Sequence, residues 1–109
     1  MARQDRLQQL QAGLARGLAL GREAQDWHAL AQADAALTRE LPALARSGPW
    51  TDAERAAWRG LCETHAQARA ACEDAMNALH ERLQTLAERR EGWLAYAMTE
   101  LDDPLEAQP

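Results

Sequence analysis

Residues 58–101 read WRGLCETHAQARAACEDAMNALHERLQTLAERREGWLAYAMTEL. At about 100° per residue, Trp58, Leu61, His65, Ala68, Cys72, Met76, Leu79, Leu83, Leu86, Trp93, Ala97 and Leu101 fall within one arc of about 100°. No turn signal interrupts this stripe. The spacing therefore predicts a single helix from Asp52 to Leu101, roughly 75 Å long at about 1.5 Å per residue. Thr51 and Glu54 stand at capping-box spacing at its start, where the hydroxyl and the carboxylate can each take a backbone N–H. Pro104 disfavours a helical residue ahead of it and sets the expected end. Gly92 lies on the polar side of the wheel, and Arg90 is the strong polar interruption of the stripe.

Two shorter stripes precede this helix. Leu7, Leu10, Leu14 and Leu18 step by three and four and mark a helix over roughly Gln4 to Leu20. Trp27, Leu30, Leu37, Leu41 and Leu44 mark a second, with Asp26 as its expected N-cap and Ser47-Gly48-Pro49 as its stop. In one straight helix these two stripes would point about 160° apart, so the chain must turn between Gly21 and Asp26. Gly13, Gly17 and Gly21 recur every four residues beside the first stripe. They are either tolerated glycines in a fraying helix or a shallow groove that lets another helix approach closely.

The resulting expectation is an all-α fold: an antiparallel three-helix bundle with a long third helix, dimerising, as one domain over residues 1–103 with a disordered tail at 104–109. Composition supports this class. Val, Ile, Phe and Lys are absent, and Thr is the sole β-branched residue type, so a sheet is close to excluded. The core must come from 16 Leu, 4 Trp, 3 Met and part of the 25 Ala, and side chains this small bury little area.

A formal charge of −5 opposes direct nucleic-acid binding, which draws on basic side chains that displace counterions. All twelve basic residues are Arg, and they read as surface because they alternate with Glu and Asp. No run approaches the roughly 18 apolar residues of a membrane span, and no secretory core stands at the N-terminus, so a cytoplasmic location is expected.

Catalysis has little to build on. The only serine, Ser47, sits in a turn without an activating base, and no glycine-rich phosphate loop is present, so no catalytic residue and no cofactor is expected. Cys62, His65, Cys72 and His80 share one side of the third helix. Along its axis Cys72 lies about 15 Å and His80 about 27 Å from Cys62, too far for one zinc ion or for a Cys62–Cys72 disulfide. Core cysteines and boundary histidines are the expectation, with Cys62 and His65 bridging a metal between subunits as the alternative. Trp27, Trp58 and Trp93 lie on apolar stripes and suit core packing, Trp50 suits a lid over the bundle end, and Asp34 reads as a boundary residue.

The second helix is long enough to cover only the first part of the third. Leu79, Leu83, Leu86, Trp93, Leu94, Met98 and Leu101 therefore form a candidate partner-binding strip, occupied either by another protein or by a second copy in a structural homodimer.

Asp26-Trp27 followed by Leu30, Leu37, Leu41 and Leu44, Arg82-Leu83 with Leu86, and Ala95-Tyr96 together resemble the FliT-type flagellar export chaperones. That resemblance implies a cytoplasmic protein that binds a helical terminal segment of the secreted filament cap protein and contacts the export apparatus; some members also bind a flagellar transcription regulator. Family members often carry a further short helix over the binding surface. Here eight residues follow Leu101, with Pro104 and Pro109 among them, so self-masking is not expected.

Overall fold

The computed structural model describes residues 2–107, with side chains to residue 100. It is all-helical: α1 spans Ala2–Ala24, α2 His28–Ala45 and α3 Asp52–Ala107, with no strand among the described residues. By packing, the chain divides into two units between Glu73 and Asp74.

In the first unit, Leu7, Leu10, Leu14 and Leu18 of α1 are buried with Leu30 and Leu37 of α2 and Ala57, Leu61 and Ala68 of α3. Leu7 and Leu14 are fully enclosed. The break between the first two stripes lies where their phase mismatch requires it. Gln25 adopts a left-handed φ of 55°, and the N–H groups of Gln25 and Asp26 donate to the carbonyls of Gly21 at 3.0 Å and Leu20 at 3.3 Å. These bonds satisfy carbonyls that a helix end otherwise leaves orphaned.

The N-cap of α2 is Trp27 rather than the expected Asp26. The aspartate still serves this end, because its Oδ1 accepts the His28 N–H at 3.1 Å from one residue further back. At the other end Gly48 turns the chain with φ 93°, a conformation that strains any residue bearing a Cβ.

The glycines of α1 form a groove. A Cβ built on Gly17 would lie 2.5 Å from the Leu30 Cα, and one on Gly21 would lie 2.3 Å from the Trp27 ring. A Cβ on Gly13 would meet that of Ala33 at an ordinary 3.7 Å. Partner numbers fall along α2 as they rise along α1, from Arg6 with Glu40 to Gly13 with Ala33 and Gly17 with Leu30. Between α1 and α3 they rise together, from Arg3 with Glu54 to Gln11 with Thr64.

The start of α3 follows the capping box. The Thr51 N–H donates to Glu54 Oε1 at 2.9 Å, and the Glu54 N–H donates to Thr51 Oγ1 at 3.1 Å. Glu54 also receives the buried Arg3, contrary to the surface placement expected of every arginine. Arg3 lies in phase with Leu7, Leu10 and Leu14, so the apolar face of α1 carries it inward. Its Nε donates to Glu54 Oε2 at 2.6 Å, Nη1 donates to the carbonyls of Leu44 at 3.0 Å and Gly48 at 3.1 Å, and Nη2 to that of Pro49 at 2.6 Å. The guanidinium carbon lies 4.4 Å from the Trp50 ring centroid. One side chain thus ties α1 to the α2–α3 connection and to the first turn of α3.

In the second unit α3 runs on to Ala107, past the stop expected before Pro104. Residues 104–107 of the expected disordered tail are helical backbone, and residues 108 and 109 lie outside the described residues. Proline removes one N–H and disfavours the preceding helical residue without forbidding it. Pro104 opens the last turn of α3, and Pro42 stands at the same place in α2.

Candidate functional site

Every side chain from Met76 to Glu100 is exposed. Polar residues account for part of this surface; the large apolar ones are the informative part, because contiguous exposed apolar surface marks interaction sites. Leu79, Leu83 and Leu94 are each 55% exposed, Leu86 58%, Met98 66% and Trp93 72%. On the helical wheel these six share an arc of about 140°. Leu101 belongs to α3, and its side chain lies outside the described residues.

Trp93 accordingly departs from the core role expected of it, whereas Trp27 and Trp58 do pack against the core of the first unit. Trp50 also packs there and meets Trp58 edge-on at a centroid distance of 6.2 Å. Two further exposed large apolar residues of α3, Met76 and Tyr96, stand outside the candidate strip. Met76 is in phase with the strip and is legible from its spacing. Tyr96 falls on the far side of the wheel.

The histidine and cysteine cluster does not assemble. Among the described residues no group of three or more His, Cys, Asp and Glu could hold a metal ion. His65 Nε2 instead lies 3.0 Å from Asp34 Oδ1, which joins α2 to α3 at the surface. Cys62 is exposed, against the expectation of a core residue, and Cys72 is half-buried against the core; both are free thiols. Cys62 falls one position past buried Leu61, which turns it away from the core. A groove of about 390 Å³ in the first unit is lined by Leu14, Trp27, Leu30, Asp34, His65 and Cys72.

Electrostatic perturbation is concentrated at the opposite end of that unit. The Arg3 guanidinium and the Thr51 N–H hold the Glu54 carboxyl down to about 2. Arg6 similarly lowers Glu40 through a side-chain hydrogen bond. Both are structural ion pairs.

Among the described residues no helix is long and apolar enough to cross a membrane. Compared with protein-family models, with curated proteins and with solved structures, the chain shows no match.

Proposed function

We propose that this chain is a cytoplasmic, non-enzymatic flagellar export chaperone of the FliT type, in which an antiparallel three-helix bundle presents a binding strip for an amphipathic helix of a secreted flagellar protein. By resemblance that client is the filament cap protein, and the export apparatus is the further partner. The single observation supporting this reading is the exposure of Leu79, Leu83, Leu86, Trp93, Leu94 and Met98 along one face of α3. An amphipathic helix recognises such a face by laying its own apolar residues against it at positions three and four apart.

The test is capture of the isolated terminal segment of a filament cap protein by the full chain, compared with Leu83→Asp/Leu86→Asp. Capture should be lost in the double variant while circular dichroism keeps its helical signal, because both leucines are more than half exposed. An unfolded double variant, or undiminished capture, would overturn the proposal. The rival reading, a structural homodimer with no client, predicts a tight dimer by light scattering that is indifferent to the cap-protein segment.

A further inference from the structure

The five ion pairs among the described residues, Arg3–Glu54, Arg6–Glu40, Arg55–Asp52, His65–Asp34 and Arg69–Glu73, all lie at or before Glu73. Five arginines of the first unit, Arg16, Arg22, Arg39, Arg46 and Arg59, belong to none of them, and neither do Arg82, Arg89 and Arg90 of the second. The isolation of these last three is written into the helix. Side chains meet along a helix at three and four residues' separation. At those separations Arg82 finds Ala78, Leu79, Thr85 and Leu86; Arg89 finds Thr85, Leu86, Gly92 and Trp93; Arg90 finds Leu86, Ala87, Trp93 and Leu94. No carboxylate is among these neighbours, although Glu81, Glu88 and Glu91 are close in sequence. Arg55–Asp52 and Arg69–Glu73 do pair at such spacings, whereas Arg16, Arg39 and Arg46 share the isolation; what sets Arg82, Arg89 and Arg90 apart is their place beside leucines that are more than half exposed.

The three arginines are also placed with respect to the strip. Leu79, Leu83, Leu86, Arg90 and Trp93 step by four, three, four and three, which is the seam spacing of a two-helix contact. Arg90 therefore stands inside the seam. Arg82 and Arg89, seven residues apart, fall within about 20° of each other on one flank of it.

Resting on the helix-binding role proposed above, we infer that the occupant of this strip is an amphipathic helix bearing carboxylates, two of them seven residues apart along the flank that meets Arg82 and Arg89 and one near its seam opposite Arg90. A second copy of this chain fits poorly. Aligned in parallel, it sets Arg90 against Arg90 of the copy; aligned antiparallel, it sets the Arg82–Arg89 flank against itself. Like charges at a contact suppress the wrong pairing, and opposite charges along the flanks choose the right one.

The experiment titrates the full chain with two synthetic amphipathic peptides that share the same leucines and differ only in carrying Glu or Lys at the two flanking positions and the one position opposite Arg90. The Glu peptide should bind on the order of tenfold more tightly at low salt, the sum of two flanking charge pairs and one at the seam, with the preference shrinking as salt rises. Arg82→Glu/Arg89→Glu/Arg90→Glu, all at exposed positions, should keep its helical circular dichroism and reverse the preference. Equal binding of the two peptides, still lost in Leu83→Asp/Leu86→Asp, overturns the acidic partner and leaves the helix-binding role intact. Binding of neither peptide overturns both. A wild-type dimer by light scattering that Leu83→Asp/Leu86→Asp dissociates overturns the inference in favour of self-association.

Discussion

Leucine does opposite things in the two units of this chain. In residues 2–73, Leu7, Leu14 and Leu61 are fully enclosed, and Arg3, Arg6, Arg55 and Arg69 meet carboxylates. In residues 74–100, Leu79, Leu83 and Leu86 are more than half exposed and the arginines sit among apolar neighbours. Both stretches carry the same amphipathic spacing. Periodicity therefore announces that a face wants cover, and it is silent on whether the same chain supplies it.

The sharpest way to break this comparison is a matched pair of truncations. Leu14→Ala should lower unfolding free energy by about 2–5 kcal/mol through lost burial and a residual cavity. Leu83→Ala should change it by no more than about 0.5 kcal/mol, as exposed substitutions do. Denaturant titrations of both variants decide this, and a large loss in Leu83→Ala would mean that residues 74–100 share a core.

Glycine supplies the next contrast. Gly17→Ala forces a Cβ onto the Leu30 backbone and should cost about 1–3 kcal/mol despite its better helix propensity. A Cβ added at Gly92 would meet nothing within 4 Å, so Gly92→Ala should stabilise its helix by up to about 1 kcal/mol. Thermal unfolding for the first and the amplitude of helical circular dichroism on heating for the second are the measurements. A stabilising Gly17→Ala would contradict the close approach of α1 and α2.

A further effect is a dependence on pH. Glu54 is held at about 2 in the folded chain, below its ordinary 4.5, so the unfolded chain binds more protons between those values. Its contribution to stability is present above about 4.5 and is lost as pH falls toward 2. Unfolding midpoints measured from about pH 5 to about pH 2 should fall less steeply in Glu54→Gln than in the wild type. Equal slopes would show that Arg3 does not hold this carboxylate.

Some of this was legible because it is local. The Thr51–Glu54 box needs only residues three apart, and the turn near Gln25 follows from two leucine stripes that cannot share a straight helix. Arg3 escapes a local reading because its partners, Leu44, Gly48, Pro49 and Glu54, stand 41 to 51 residues away. Its phase with Leu7 and Leu10 is the available sign. Of the candidate strip, the residues are readable from their spacing, and the same spacing leads to a core role for Trp93 because an apolar stripe does not say whether it is covered. The 72% exposure of Trp93 answers that question.

Residue usage and periodicity by themselves determined that this protein is helical, where its first two helices part and where its third begins, since helix formation depends on neighbours within one turn. Tertiary structure alone decided which apolar faces are enclosed, that a charged Arg3 lies among them, and that Gly17 and Gly21 are contact points. Burial is a relation between segments distant in the chain, and no local spacing encodes the distance between two backbones.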